Sequence, residues 1–227
     1  GNATAESGLS NAGTITQTAF TNTGDLQTTG AINGNAQAAA GSLVNTSYIG
    51  GNATAANNLT NQSTGTINGF AQANQNLTNA GTISQYAIAS SGELINSGTI
   101  TGNADASTGN LSNSATIKGT ASAGNNLTNN GNIALDATAV NGNLQNNGQI
   151  NRNAVAGNGL TNQASAVISG FANANQTLTN AGTIAQNATA GANLVNQGSI
   201  GQDANAGINL DNQSSGVITG NATAAQQ

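Results

Sequence analysis

The stretch Leu77–Ala89, which reads LTNAGTISQYAIA, decides the fold, because the rest of the chain is a set of variations on it. Its fixed positions are L-x-N-x-G-x-I-x-x-x-A-x-A, and this pattern recurs thirteen times with a period of 16 to 18 residues. Repeats of this period cannot bury an apolar face alone, so each must stack on its neighbours. The pattern therefore predicts a solenoid.

The composition excludes several classes of function. Charged residues make up 4% of the chain, aromatic residues 2%, and Pro, Cys, Met, Trp and His are absent. The lack of Cys and His removes disulfides and the commonest metal ligands. The net charge is −5 with Lys118 and Arg152 as the only cations, so we expect no nucleic-acid partner, since phosphate binding depends on Lys and Arg. No run of about 20 apolar residues occurs, so we expect no membrane insertion.

The end of each repeat predicts a short strand. In A-x-A the alanines are constant while the middle residue varies, a period of two that places the alanines inward. The isoleucine, flanked by variable polar residues, also points inward. Two residues after it stands a glycine in seven repeats and Arg152 in another. Because an unpaired arginine does not enter an apolar core, we expect the chain to bend there.

Length variation separates faces from corners. The spacing from isoleucine to the first alanine is four residues in every repeat, whereas leucine to isoleucine is six or eight, and the second alanine to the next leucine is four or five. Insertions are tolerated at corners rather than in packed faces. We therefore predict an all-β fold, a parallel β-solenoid or β-helix of about thirteen coils with three short faces, forming a single array over residues 1–227. The repeat phase is the same at both ends, which predicts a piece of a longer array or a subunit of a longer fibre.

An asparagine two residues after the leucine occurs in twelve of the thirteen repeats, with Thr28 as the exception. Asparagine tolerates left-handed backbone, and identical amides stacked coil upon coil hydrogen-bond along the axis. The glycine two residues further on fits the same tight corner. We predict a structural ladder formed by Asn11, Asn45, Asn61, Asn79, Asn96, Asn113, Asn129, Asn146, Asn162, Asn180, Asn196 and Asn212.

The predicted core consists of the leucine, isoleucine and paired alanines of every coil. In the quoted repeat and the next one these residues are Leu77, Ile83, Ala87, Ala89, Leu94, Ile100, Ala104 and Ala106.

A longer repeat lies over the short one. The segment from Leu59 matches the segment from Leu160, 101 residues later, and both carry the two-residue insertion followed by a phenylalanine, Phe70 or Phe171. The match indicates duplication of a block of coils.

The seven carboxylates do not suggest catalysis. Asp136 and Asp203 share a repeat position but lie four coils apart, about 19 Å at the ladder spacing. Neither an acid/base pair nor an oxygen-rich metal cage follows. We therefore expect no enzymatic activity, no catalytic residues, no metal and no cofactor. The frequent N-x-[ST] triplets are explained by composition.

Two alternatives to a plain structural role remain open. Low charge, Asn/Gln richness and the lack of proline are typical of cross-β assembly, and open solenoid ends invite growth, which suggests a self-assembling fibre subunit. A threonine-rich face would suggest ice binding. T-I-T occurs at Thr14–Thr16 and Thr99–Thr101, but the same two positions elsewhere hold other residues, such as Tyr48 and Gly50.

The repeats SNAGTIT, TNAGTIS, INSGTIT and VNQGSIG, each followed by an A-x-A strand, resemble the haemagglutinin-type repeats of the filamentous haemagglutinin family and of autotransporter-type β-helical adhesins. The resemblance covers the whole sequence, although the coil is shorter and the alanine face less bulky than is usual in the family. It implies a right-handed β-helix that serves as the shaft of an extracellular, cell-surface bacterial adhesin or matrix filament. The implied partners are flanking repeats or other copies end to end, and surface carbohydrate or a receptor on a host or neighbouring cell.

Overall fold

The structure, a computed structural model, describes residues 1–225, which form strands, turns and bends and no helix. The chain divides into two compact units, Gly1–Gly119 and Thr120–Gln227. Each unit is built from the same coil, in which one strand begins at the paired alanines, one near the leucine and one next to the isoleucine. We call the sheets formed by these strands the Ala, Leu and Ile sheets.

The first unit contains seven strands in each sheet. The Ala sheet consists of β1 (Ala3–Ala5), β4 (Ala19–Thr21), β7 (Ala36–Ala38), β10 (Ala53–Ala55), β13 (Ala71–Ala73), β16 (Ala87–Ala89) and β19 (Ala104–Ala106). The Leu sheet consists of β2 (Leu9–Asn11), β5 (Leu26–Thr28), β8 (Leu43–Asn45), β11 (Leu59–Asn61), β14 (Leu77–Asn79), β17 (Leu94–Asn96) and β20 (Leu111–Asn113). The Ile sheet consists of β3 (Thr14–Ile15), β6 (Ala31–Ile32), β9 (Tyr48–Ile49), β12 (Thr66–Ile67), β15 (Thr82–Ile83), β18 (Thr99–Ile100) and β21 (Thr116–Ile117).

The second unit repeats the same order. Its Ala sheet consists of β22 (Ala121–Ala123), β25 (Ala137–Ala139), β28 (Ala154–Ala156), β31 (Ala172–Ala174), β34 (Ala188–Ala190), β37 (Ala204–Ala206) and β40 (Ala222–Ala224). Its Leu sheet consists of β23 (Leu127–Asn129), β26 (Leu144–Asn146), β29 (Leu160–Asn162), β32 (Leu178–Asn180), β35 (Asn193–Asn196) and β38 (Asn209–Asn212). Its Ile sheet consists of β24 (Asn132–Ile133), β27 (Gln149–Ile150), β30 (Val167–Ile168), β33 (Thr183–Ile184), β36 (Ser199–Ile200) and β39 (Val217–Ile218).

Every strand pair within a unit is parallel, and equivalent repeat positions are in register. Leu59 pairs with Leu77, Ile67 with Ile83 and Ala71 with Ala87. Insertions in the corners therefore do not shift the pairing of the faces. The predicted all-β parallel solenoid with three short faces and about thirteen coils is confirmed.

The core of each coil consists of the residues that the repeat pattern placed inward. The leucine, isoleucine and both alanines of the interior coils are almost completely buried, and among them are Leu77, Ile83, Ala87, Ala89, Leu94, Ile100, Ala104 and Ala106. Burying one leucine or isoleucine contributes about 1.5–3 kcal/mol. Thr21 replaces an alanine, and its buried hydroxyl donates to the carbonyl oxygen of Gly24 at 2.7 Å. The buried hydroxyl of Thr21 therefore has a hydrogen-bond acceptor within its own coil.

The expected bend after the isoleucine is present. Arg152, two residues after Ile150, has a side chain that is 56% exposed and faces Asp136 at 3.6 Å. The chain turns away from the core here before it enters the next Ala strand, so this position does not share the inward face of its neighbours.

Glycine at the Leu–Ile corner permits close approach between coils. A Cβ on Gly98 would lie 2.1 Å from the carbonyl oxygen of Gly81, and one on Gly30 would lie 2.0 Å from that of Gly13. No described glycine has a positive φ, and the single described non-glycine residue with one is Ser165, at 67°. The tolerance of asparagine for left-handed backbone is therefore not used at this corner, and the steric constraint on the glycine comes from the adjacent coil.

The three long repeats take up their two extra residues in a β-turn. The amide of Gly65 donates to the carbonyl of Gln62 at 2.8 Å, and the same bond joins Ala166 to Gln163 and Gly216 to Gln213. The turn returns the chain to the position that the short corner reaches directly, so the isoleucine stays in register.

Candidate functional site

The most regular polar arrangement is the predicted asparagine ladder. In the first unit the Nδ2 of Asn45 donates to the Oδ1 of Asn61, and the series of bonds continues through Asn79 and Asn96 to Asn113, each at 2.8 Å. In the second unit the ladder runs from Asn129 to Asn212 with bonds of 2.8 to 2.9 Å, through Asn146, Asn162, Asn180 and Asn196. An asparagine ladder is therefore confirmed in each unit, whereas the side chain of Asn11, which was also predicted to belong to it, bonds to Thr28 and, within the described residues, to no other asparagine.

Each interior ladder amide is completely buried and satisfied by the backbone as well as by its neighbours. Asn79, for example, donates to the carbonyl of Gly81 at 3.2 Å and to that of Thr99 in the next coil at 3.3 Å. A buried amide without partners would cost free energy, so this arrangement removes the penalty for a polar group in the core.

The turn insertions preserve this bonding. In a short corner the amide donates to the carbonyl two residues on, as Asn79 does, whereas Asn61 donates to Gly65, four residues on, at 3.1 Å. Asn162 and Asn212 use the same longer spacing. The inserted residues bulge outward, and the carbonyl that faces the amide keeps its place.

The exception at Thr28 interrupts the ladder. Asn11 donates to the hydroxyl oxygen of Thr28 at 3.0 Å, and that hydroxyl donates to the carbonyl of Gly30 in its own coil at 2.8 Å. Threonine therefore satisfies the buried position but does not pass the bond on to Asn45.

Two outer rows of Asn and Asp, which the sequence reasoning missed, occupy the other two corners. We call them the outer Asx rows. One occupies the position before most of the Ala strands, where the Oδ1 of Asn35 accepts the backbone N–H of Asn52 at 2.8 Å. The other occupies the position before several of the Leu strands, where the Oδ1 of Asn76 accepts the N–H of Glu93 at 2.8 Å.

The second unit has the same outer Asx rows. The Oδ1 of Asp203 accepts the N–H of Asn221 at 2.8 Å, and the Oδ1 of Asn126 accepts the N–H of Asn143 at 2.9 Å. The recurrent Gly-Asn-Ala triplet was the available signal for the first row. The shared position of Asp136 and Asp203 is part of this structural row, because the Oδ1 of Asp136 accepts the N–H of Asn153 at 3.1 Å.

The carboxylates form no cluster with metal-binding geometry. Within residues 1–225 no group of three or more His, Cys, Asp or Glu side chains could hold a metal ion. The same residues contain no helix that is long and apolar enough to cross a membrane. In the described part of the molecule, Arg152 and Asp136 form the one ion pair, and both are substantially exposed.

The outward faces carry most of the variation between coils. In the first unit, Thr66, Thr82, Thr99 and Thr116 are in register on the Ile sheet. The parallel row two residues on holds Asn68, Ser84, Thr101 and Lys118, which differ in size and charge. A single regular row is therefore present, and the ice-binding alternative stays a prediction.

Taken together, the buried ladder, the outer Asx rows and the paired strands define a parallel β-solenoid repeat protein with an internal asparagine ladder. Its recurrent polar side chains bond one coil to the next, and the acidic residues among the described positions do not converge on a common point. In comparison with known proteins, no family model, no curated protein and no solved structure matches this sequence.

Proposed function

We propose that this solenoid is a shaft segment of an extracellular bacterial adhesin or matrix filament, without enzymatic activity. The observation that carries the proposal is that the repeated polar side chains form hydrogen bonds between adjacent coils. The amide of Asn79 and the outer Asx residues Asn35 and Asn76 all bond to an adjacent coil. A rigid spacer needs such bonds between coils, whereas a catalytic protein needs convergent reactive groups.

The resemblance of the L-x-N-x-G-x-I repeats to those of filamentous haemagglutinin-type and autotransporter-type adhesins supports an exported, cell-surface shaft. On this proposal, recognition is carried by outward-facing residues or by segments outside this array.

The proposal is tested by immunolabelling cells of the source organism with antibodies raised against residues 1–227. We expect labelling on intact, unpermeabilised cells, and a native polypeptide much larger than the 21.9 kDa of these residues. Labelling that requires permeabilisation would overturn the extracellular assignment.

The second candidate is a subunit that stacks end to end into a fibre. Its support is the low charge, the Asn/Gln richness and the lack of proline, which are typical of cross-β assembly. Equivalent repeat positions pair in register, as Leu59 does with Leu77, so a coil of another copy would extend the same pairing. Sedimentation of the purified 227-residue protein distinguishes the two candidates, because the shaft predicts a monomer and the fibre subunit predicts concentration-dependent filaments.

A further inference from the structure

The exterior of the Ala sheet in the first unit carries an open dent of about 260 Å³. It extends over three successive coils, at β7, β10 and β13. Its lining combines the small side chains of Ala39 and Ala56 with the polar residues Gln37, Gln72 and Asn74. The dent exists because small residues occupy a surface position where neighbouring coils carry longer side chains.

The polar groups around the dent are available to a ligand. In the described residues, the side chains of Gln37, Thr54, Gln72 and Asn74 make no hydrogen bond to the protein. The nearby corner residue Asn52, by contrast, is engaged, because its Oδ1 accepts the backbone N–H of Phe70 at 3.1 Å. Three amides and one hydroxyl thus surround methyl groups, and none of the lining residues is charged.

An aromatic strip adjoins the dent. Phe70 and Tyr86 stack with ring centroids 4.8 Å apart and planes 6° from parallel. Tyr48 is a further aromatic residue in this region, and its hydroxyl oxygen accepts a hydrogen bond from Asn68 at 2.8 Å. Three of the five aromatic residues of the sequence therefore lie in neighbouring coils. Phe70 immediately precedes β13, two residues before Gln72 in the lining of the dent, so the two Cα atoms lie within about 7 Å of each other.

We propose that the dent and the aromatic strip together bind a neutral glycan, with one pyranose ring seated in the dent. A pyranose presents hydroxyls at its edge and C–H groups on its faces, which match the free amides and the alanine and aromatic surfaces. The dent is smaller than the roughly 300–1,000 Å³ of pockets for drug-sized ligands, so it holds one ring. Its open shape lets the glycan extend over the strip.

The absence of charge in the lining selects neutral over anionic glycans, because no Lys or Arg is placed to pair with a sulfate or carboxylate. A single ring with a few hydrogen bonds gives a dissociation constant on the order of millimolar. The site does not depend on the shaft proposal, since a free-standing solenoid would carry the same surface.

The test is a titration of the 227-residue protein, labelled with ¹⁵N, with cellohexaose, maltohexaose and chitohexaose, followed by NMR. We expect at least one oligosaccharide to shift the signals of Thr54, Gln72 and Asn74. The proposal is overturned if none of the three shifts these signals at about 20 millimolar, a concentration well above the expected constant, or if the shifts map elsewhere.

Matched variants come from the duplicated block, in which Asn173 and Phe171 take the places of Gln72 and Phe70. Gln72→Ala is expected to weaken binding about fivefold, as for the loss of one hydrogen bond, while Asn173→Ala leaves it unchanged. Phe70→Ala should also weaken binding, with Phe171→Ala as its control. If Phe70→Ala does not fold, the surface variant Gln72→Ala decides the question. Equal effects of Gln72→Ala and Asn173→Ala would refute the site.

Discussion

At the scale of single residues, the ladder asparagine combines three functions in one amide group. The Oδ1 of Asn79 accepts from Asn61, and its Nδ2 donates to the Oδ1 of Asn96 and to the carbonyl of Gly81. No other uncharged side chain of this size offers two donors and an acceptor in one plane, since a hydroxyl has a single donor. This explains why Thr28 ends the series of bonds.

Asn79→Ala is expected to lower the free energy of unfolding by about 2–5 kcal/mol, because it leaves the Nδ2 of Asn61 and the Oδ1 of Asn96 buried without the amide that bridges them. Asn79→Thr should cost less, about 1–2 kcal/mol, because Thr28 shows that a hydroxyl satisfies this position. Urea denaturation measures both. The control Thr78→Ala should change stability by less than about 0.5 kcal/mol; a similarly small effect for Asn79→Ala would contradict the role of the ladder.

Gly98→Ala is expected to destabilise by about 1–3 kcal/mol, since the new Cβ would lie 2.1 Å from the carbonyl oxygen of Gly81. In the 227-residue protein the matched control is Gly13→Ala at the same repeat position, where nothing lies within 4 Å of the new Cβ. Thermal unfolding of the two variants provides the comparison. Equal unfolding midpoints for the two variants would show that the close approach of the neighbouring coil does not require a glycine at this position.

At the scale of elements, most of the fold could be predicted from where the repeats change length. The constant spacing from isoleucine to alanine identified a pinned segment, and Arg152 within it located a bend. The outer Asx rows were missed because their positions also hold Thr18, Phe70 and Tyr86, which breaks the sequence pattern although the corner geometry is kept. The reason for the corner glycines was also missed, because contact with an adjacent coil depends on three-dimensional stacking.

The candidate glycan site was invisible in the sequence for a similar reason. Gln37, Thr54 and Gln72 are variable outward residues, separated by 17 and 18 positions in the sequence. Stacking brings them together, and the dent depends on the small size of Ala39 and Ala56 between them. The site depends on outward residues that differ from one coil to the next. The repeat pattern contains only the residues that the coils share, so it does not reveal such a site.

Deletion of Ser63 and Thr64 is expected to be tolerated, with a change of less than about 1 kcal/mol in stability, because it converts the turn-containing corner to the short form seen at Asn79–Thr82. The carbonyl of Gly65 would then face the ladder amide directly. Deleting Thr101 and Gly102 removes the same number of residues from the invariant segment and should prevent correct stacking. Circular dichroism and urea denaturation test the pair, and equal tolerance would refute the division into faces and corners.

At the scale of the whole molecule, the stability of each unit depends on contacts between coils. Ile67 and Leu77 are completely buried by neighbouring coils, whereas Leu9 and Ile15 in the first coil are part-exposed. In solenoids, stability is approximately a sum of coil terms and nearest-neighbour interface terms. Within the described residues the first coil has a neighbouring coil on one side, so fewer interface contacts contribute to its stability.

Hydrogen exchange is therefore expected to be graded within residues 1–119. The amides of Leu9 and Leu77 both donate to the next coil, to the carbonyls of Asp25 and Glu93. Leu9 should nevertheless exchange at least about tenfold faster, because opening the first coil exposes less apolar surface. Exchange of the 227-residue protein, measured by NMR, tests this, and equal protection at the two sites would indicate that the unit opens as one cooperative body.

The direction of the ladder gives the solenoid an electrical polarity. From Asn45 to Asn113 the bonded Nδ2 of each amide points toward the following coil and the bonded Oδ1 toward the preceding one. Hydrogen bonds aligned in series polarise one another, as peptide dipoles do along an α-helix. In the first unit, the ladder therefore carries partial positive charge toward Asn113 and partial negative charge toward Asn45, an axial dipole built from neutral amides.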